Sequence, residues 1–387
     1  MKRVVILDGQ TIQTLPIAKS LKNQGYCVIL FCDNKKSYGY RTKYADEVIL
    51  VPSIKDELEE FKRFFISYLG INSVDIIIPM NDYSAEFLSF NKYSLLKYCH
   101  FIMPDYDVFM RGYDKNLLMK VCVDNHFPHP KTADLSKMSI EESVRYVRFP
   151  SLIKPNKATG ARGFTIVQSI HDIYENLPKV KEVYGDCHLQ EYLPEGGRQY
   201  KVQVFIYKNE LINATVMNKI RFYPKKGGSS CFSKTIECNH LVGLCFQVLK
   251  TIGWSGFADF DLIEDTRDNV VKIIEINPRV PACIKAAFYS GIDFAENITQ
   301  CSMGLSPRKD VYQPGVYLRY LGLDLLWLLN SDKTFKTFQQ WVKYLFSPKQ
   351  FLQDGSIDDP KPFIYGTLGG FLKQLNPRFR AAKKGMN

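Results

Sequence analysis

No run of about 18 uncharged apolar residues occurs in this chain of 387 residues, which argues against a membrane-spanning helix. The N-terminus, Met1-Lys2-Arg3-Val4-Val5-Ile6-Leu7-Asp8, breaks its apolar stretch too early for a signal peptide. The ten cysteines contain no C-x-x-C pair. Cys231, Cys238 and Cys245 recur every seven residues, but no histidine or further cysteine stands at zinc spacing. Reduced, mostly buried thiols in a cytoplasmic protein are the expectation. The first strand exit, Asp8-Gly9-Gln10, lacks G-x-G-x-x-G, which argues against a nicotinamide oxidoreductase. No Ser-His-Asp or Cys-His arrangement is evident either.

What is present is an ordinary globular composition, 45% hydrophobic and 24% charged, long enough for roughly two or three domains. The net charge of +11 is unevenly placed. Residues 331–387 hold ten Lys/Arg (Lys333, Lys336, Lys343, Lys349, Lys361, Lys373, Arg378, Arg380, Lys383, Lys384) against four acids. Such a tail would suit anionic lipid or nucleic acid, or form a solvated surface. No nucleic-acid partner is expected, peripheral membrane contact stays open, and so does oligomerisation.

Along residues 1–105, strand and helix signals alternate: Val4–Leu7, Thr14–Asn23, Cys27–Cys32, 47–51, 57–69 and 75–79. That alternation predicts a doubly wound parallel sheet, with ligands beyond the strand C-terminal ends. Asp8, Asp33 and Asn81-Asp82-Tyr83 fall there. Asp82 is either a substrate contact or the N-cap of a helix over 85–90. Asp114 opens a helix over 115–125, followed by an extended His126-Phe127-Pro128-His129-Pro130-Lys131-Thr132 turn. Its two histidines lack a third metal ligand. Residues 149–215 read as β-rich, with strands over 151–154, 164–168, 187–192, 199–207 and 211–214, and a helix follows over 239–252. Val316–Leu329 reads as a helix packed on the body, and 335–346 carries aromatics at helical spacing.

Two segments carry chemistry. Ile273-Ile274-Glu275-Ile276-Asn277-Pro278-Arg279 reads as a buried strand ending in a carboxylate, an amide and a guanidinium. Glu275 and Asn277 are two apart and share a strand face. Upstream, Asp261 ends Gly256-Phe257-Ala258-Asp259-Phe260-Asp261. Asp261, Glu275 and Asn277 offered to one point from adjacent strands make an all-oxygen site that suits Mg²⁺, with Arg279 left to grip a phosphate oxygen. The second segment is Lys154-Pro155-Asn156-Lys157-Ala158-Thr159-Gly160-Ala161-Arg162-Gly163-Phe164. Its glycines let backbone N–H groups approach phosphates, and Lys154 ends the preceding strand.

Taken in order, these segments resemble the ATP-grasp superfamily across roughly residues 1–303. Asp114-Lys115 with the proline turn is similar to its lead-in. Lys154-Pro155 with Thr159 to Gly163 is similar to its phosphate lid. Leu189-Gln190-Glu191-Tyr192-Leu193-Pro194-Glu195-Gly196 is similar to its adenine hinge, and Asp261 with Glu275 to Arg279 to its magnesium strands. The resemblance is nearest to carbamoyl-phosphate-synthase-like and D-aspartate-ligase-like members. It implies that Lys115 and Lys154 hold ATP phosphates, and that Gly160, Ala161, Arg162 and Gly163 close over them. Gln190, Glu191 and the backbone at Tyr192 and Leu193 would read the adenine. Asp261, Glu275 and Asn277 would bind one or two Mg²⁺, or Mn²⁺. Arg279 would steady the transferring phosphate, and with Lys154 it is the expected catalytic residue. Arg221, before Gly227-Gly228-Ser229, either faces the phosphates or lies on a surface hairpin. Relatives usually carry an acid for the ribose on the strand after the hinge. Here that strand is Gln199-Tyr200-Lys201-Val202-Gln203-Val204, which leaves Gln199 to bond a hydroxyl. Asp259 is a substitute for Asp261.

The implied architecture is an α/β domain over 1–105, an ATP-grasp fold over 106–304 and a helical extension over 305–387. Within the ATP-grasp part, the connector and lid span about 106–195 and the metal-binding part about 196–304. The implied reaction activates a small-molecule carboxylate as an acyl phosphate and passes it to an amine, releasing ADP and phosphate. Its substrates would lie near Asp82 and residues 280–291, where Lys285 is either an acid contact or a surface lysine. The alternative is a non-catalytic ATP-binding module in a surface-polymer assembly complex.

Overall fold

Strands Arg3–Leu7 (β1), Cys27–Cys32 (β2), Glu47–Leu50 (β3) and Ile76–Pro79 (β4) form a parallel sheet in the order β3-β2-β1-β4. Its central strands are apolar throughout because helices cover both faces. Val5, Leu7, Ile29 and Phe31 pack with Phe61 and Phe65 of helix Leu58–Ile71. Val4, Ile6, Val28 and Leu30 pack with Ile17, Ala18 and Leu21 of helix Thr14–Asn23. The computed structural model describes residues 1–158, 160, 162–224, 228–331, 334–345 and 347–367. Thr159, Ala161, Gly227, and the tail residues Lys333, Lys373, Arg378, Arg380, Lys383 and Lys384 lie outside the described residues.

A second, antiparallel sheet occupies the expected lid residues: Thr132–Asp134 (β5), Ser151–Pro155 (β6), Thr165–Val167 (β7) and Cys187–Glu191 (β8), in the order β5-β8-β6-β7. Helices Ile140–Val147 and Ile170–Tyr184 cover one face, each opened by a serine capping box.

The largest sheet comprises Gln199–Tyr207 (β9), Glu210–Tyr223 (β10), Ser229–Ile236 (β11), Gly256–Asp265 (β12), Val270–Asn277 (β13), Tyr317–Arg319 (β14) and Gln350–Leu352 (β15). The order is β13-β12-β9-β10-β11-β14-β15, and only the β14–β15 pair is parallel. Alternation decides its two faces. Val202, Val204, Ala258, Phe260, Ile273 and Ile276 turn into a core shared with Trp254, helix Tyr106–Tyr113 and the N-terminal sheet. The opposite face carries Lys201, Gln203, Asp259, Asp261, Glu275 and Asn277. Both N-terminal cores thus continue into the central sheet, which fixes the strand ends of the first domain against the polar face.

Two elements differ from the sequence expectation. β10 does not stop at Ala214 but runs to Tyr223, because the charges that broke its pattern, Lys219 and Arg221, find internal acids. The expected helical extension is only partly helical. Its helices Leu321–Leu329 and Phe335–Lys343 alternate with β14 and β15, which lengthen the central sheet. Among the described residues no helix is long and apolar enough to cross a membrane.

Candidate active site

The polar face of the central sheet is built from two rows of cross-strand neighbours. Lys201 pairs with Asp261, which pairs with Glu275; one step along, Gln203 pairs with Asp259, which pairs with Asn277. A register shift after Asp261 and the β12–β13 hairpin end the rows. The spacing of two between Glu275 and Asn277 therefore puts both beside acids of the adjacent strand. Asn277 Nδ2 donates to Asp261 Oδ2 at 3.1 Å and to the Asp259 carbonyl at 3.2 Å.

Lysines surround this face. Lys201 Nζ lies 2.5 Å from Asp259 Oδ2 and 3.0 Å from Asp261 Oδ2, and Lys219 of β10 pairs with Asp261 Oδ1. Against its burial, the two ammonium groups hold the Asp261 carboxyl well below the usual range. Lys115 opens helix Lys115–Asp124, where Asp114 caps by accepting from the amides of Asn116 and Leu117. Its Nζ lies 3.1 Å from Glu275 Oε2 and donates to the Ala158 carbonyl at 2.8 Å, which joins the glycine loop to β13. Lys154 ends β6 and donates to Gln190 Oε1 at 2.5 Å, with its ammonium 4.8 Å from the Phe164 ring centroid. Burial pushes Lys154 down to about 8; Glu275 opposes the fall and Lys115 adds to it. His188, beside Lys154 on the next strand, is held neutral chiefly by burial and then by those two lysines.

The N-terminal sheet reaches the same place. Asp82 is the first residue of helix Asp82–Phe90 and not its cap; Asn81 caps it, accepting from the Asp82 amide at 2.8 Å. The Asp82 carboxylate is thereby free to meet Arg279, with Nε at 3.3 Å from Oδ1. Burial raises the Asp82 carboxyl, while Arg279 and Lys115 lower it. Arg279 also donates to Asn277 Oδ1 at 3.2 Å and lies 3.6 Å from Asp259.

Of the residues singled out in the sequence, Lys115, Glu275, Asn277, Asp261 and Arg279 are linked by direct contacts, and Lys154 with Gln190 stands on the neighbouring lid strands. Gly160 and Gly163 have φ of 67° and 73°. A Cβ at Gly163 would lie 2.7 Å from the Tyr184 ring, so the loop and the return strand need glycine there. Arg162 lies within the same loop. Gln199 begins β9 opposite Lys219. Tyr192 donates its amide to the Pro150 carbonyl at 3.3 Å, and Leu193 follows it in the hinge.

Three expectations change. The Glu191 carboxylate, expected at the adenine, is engaged by the protein itself: it accepts from the Lys131 amide at 3.0 Å and from Arg267 at 2.5 Å. Arg221, expected at the phosphates or on a surface hairpin, is used on an internal acid. It is buried and bonds Asp324 of the C-terminal segment twice, at 2.7 and 2.8 Å, between the rings of Phe232 and Trp327. An acid far along the chain satisfies it, so the glycine pair after it gave a misleading cue. Lys285 is neither an acid contact nor a surface lysine; it donates to the carbonyls of Leu352 and Gly355 and anchors the C-terminal segment. Sequence reasoning missed Lys201 and Lys219. The period-two alternation of β9 was the signal for Lys201, since it shares a face with Gln199 and Gln203.

The donor set fits magnesium and a polyphosphate: the Glu275 carboxylate and the Asn277 amide oxygen share one strand face, Glu275 beside the Lys115 ammonium, while both oxygens of the expected ligand Asp261 are engaged by Lys201, Lys219 and Asn277. Asp259 Oδ1 is buried with no hydrogen-bond partner, so this face holds more acceptor capacity than the protein itself uses.

No protein-family model matches the chain. Among curated proteins it is 23% identical over 246 residues to a D-aspartate ligase of Enterococcus faecium (strain Aus0004); the match spans 58% of each chain. Among solved structures it is similar to the biotin carboxylase–β,γ-ATP complex of Campylobacter jejuni, with TM-score 0.69 and 17% identity over 81% of this chain and 74% of that one. It is also similar to the biotin carboxylase domain of the Hydrogenobacter thermophilus 2-oxoglutarate carboxylase, bound to MgADP, ADP and bicarbonate. There the TM-score is 0.68 and the identity 18%, over 81% and 73% of the two chains. The chain has the ATP-grasp fold, with a parallel N-terminal sheet and a larger mixed sheet.

Proposed function

We propose that this protein is an ATP-dependent ligase that joins a small-molecule carboxylate to an amine. The observation that carries the reading is the meeting of three units at one point: Lys115 from the connector, Asp82 from the N-terminal sheet, and the Asp261–Glu275–Asn277–Arg279 face. The lid strand that carries Lys154 borders the same point. The ligase name of the curated relative supports the reaction class.

In this reading, Lys115 and Lys154 hold the triphosphate charge and the glycine loop covers it. Mg²⁺, or Mn²⁺, held by Glu275 and Asn277 beside Asp261 would neutralise charge on the β- and γ-phosphate oxygens. A carboxylate oxygen attacks the γ-phosphorus in line; the bond to the β,γ-bridging oxygen breaks and ADP leaves. Arg279, oriented by Asp82, supplies a fixed positive charge for the acyl phosphate. The amine nitrogen then attacks the acyl carbon, loses a proton, and inorganic phosphate departs. No side-chain nucleophile is required. A cytoplasmic location, where ATP is supplied, goes with this reading.

ADP release is the test, screened over amino and hydroxy acids paired with amines. Release that needs both ATP and a carboxylate, and that falls by three orders of magnitude or so in Glu275→Ala/Asn277→Ala, is the expected result. Undiminished turnover in that variant would overturn the metal assignment. Nucleotide binding without ADP release for any pair would favour the non-catalytic module instead.

A further inference from the structure

The number of metal ions in this site is open between one and two, and the protein's own charges bear on it. Asp261 has no free oxygen. Oδ1 pairs with Lys219, while Oδ2 receives Lys201 at 3.0 Å and Asn277 Nδ2 at 3.1 Å. Asp259 is fully buried, and its Oδ2 lies 2.5 Å from Lys201 and 3.6 Å from Arg279. Asp259 Oδ1 has no partner but is buried, so in charge the two acids are matched by two lysines before any metal arrives. These lysines differ from Lys115 and Lys154 in where they stand. Lys115 and Lys154 come from the connector and the lid, outside the central sheet. Lys201 stands on β9, hydrogen-bonded to β12 in register with Asp261, and the lid does not carry it.

We propose that Lys201 is a built-in cation that takes the place of a second metal ion, so that the site holds one divalent cation per nucleotide, on Glu275 and Asn277. This rests on the ATP-site reading above. A divalent ion placed between Asp259 and Asp261 would have to displace an ammonium tethered to the same sheet or sit against its charge. Lys201 is a positioning residue here: its contacts at 2.5 and 3.0 Å hold the Asp259 and Asp261 carboxylates in their rows.

The test counts metal. The full-length protein is saturated with a non-hydrolysable ATP analogue and titrated with Mn²⁺, with free Mn²⁺ read by electron paramagnetic resonance. One bound Mn²⁺ per chain is expected. In Lys201→Glu, which removes the cation and adds an acid, two are expected. Two bound Mn²⁺ in the unaltered protein would overturn the proposal whether or not the variant folds, and so would one Mn²⁺ in a folded Lys201→Glu. Nucleotide that fails to bind at all would refute the ATP-site reading as well. Nucleotide that binds with two Mn²⁺ would refute only this proposal.

Discussion

Replacing Asp324 with alanine removes the one carboxylate that lies between two buried guanidinium groups. Arg221 bonds it at 2.7 and 2.8 Å, and Arg319 Nε stands 3.4 Å from its other side. Asp324 and Arg319 are completely buried, and burial already pushes the Arg319 guanidinium down. Taking one partner from a buried pair costs about 3–5 kcal/mol because the charge left behind has no solvent. Asp324→Ala strands two cations and belongs at the upper end. Arg221→Met leaves Asp324 with Arg319 and belongs near about 2–3 kcal/mol. The protein reports on this cluster by itself. Of its three tryptophans, Trp327 lies 4.8 Å from the Arg221 guanidinium and Trp341 lies 4.6 Å from that of Arg319. Urea titration followed by tryptophan emission would show Asp324→Ala losing more than Arg221→Met, with the emission shifting red as the C-terminal segment loosens. ADP affinity, measured by calorimetry on the folded variants, should stay within about twofold of the parent (under 0.5 kcal/mol). A tenfold loss of ADP affinity in Arg221→Met with unchanged emission would refute the reasoning and return Arg221 to the phosphates.

Four further outcomes follow. Lys154 falls from the ordinary 10.5 to about 8 by burial, so it is charged below that pH and neutral above it; nucleotide affinity of the ligand-free protein should drop as pH rises through about 8, and Lys154→Arg should flatten that profile. Because the unfolded chain binds more protons between about 8 and 10.5, the same lysine makes stability rise with pH across that window, which thermal melts at pH 8 and 10 would register. Gly112→Ala would place a Cβ 2.7 Å from the Trp254 ring, a clash worth about 1–3 kcal/mol that should lower the melting temperature despite the better helix former. Lys285→Met leaves the Leu352 and Gly355 carbonyls without their donor, so limited proteolysis around residues 350–358 should speed up while ADP affinity holds.

Much of this was legible in the chain. The strands of the N-terminal sheet are short unbroken apolar runs, and helix Asn239–Ile252 and strand Gln199–Tyr207 fall where periodicity places them. The ordered motifs also marked Lys115, Lys154 and the Glu275–Arg279 strand end, since each sits at the boundary of a regular element. Legibility failed where a charged residue is satisfied by a distant one. The strand now β10 was read only to Ala214, and Lys285 stayed open between an acid contact and the surface, because the partners of Lys219, Arg221 and Lys285 stand 42, 103 and about 70 residues away. Glu191 was assigned to the adenine by resemblance, and nothing local showed Arg267 folding back on it from 76 residues away.

The sequence alone determined the alternation of strand and helix, the strand spacing that puts Glu275 and Asn277 on one face, and the glycines that a tight loop over Lys154 needs. These follow from backbone sterics and from periods of two and 3.6, which act over a few residues. Only the tertiary structure decided which charges meet. It set Lys201 against Asp259 and Asp261, sent Arg221 to Asp324, brought Asp82 to Arg279, and made β14 and β15 strands of the central sheet. Ion pairs depend on distance through space, and burial makes an unmatched charge costly. Each buried cation therefore takes the acid that the fold delivers, wherever that acid lies along the chain.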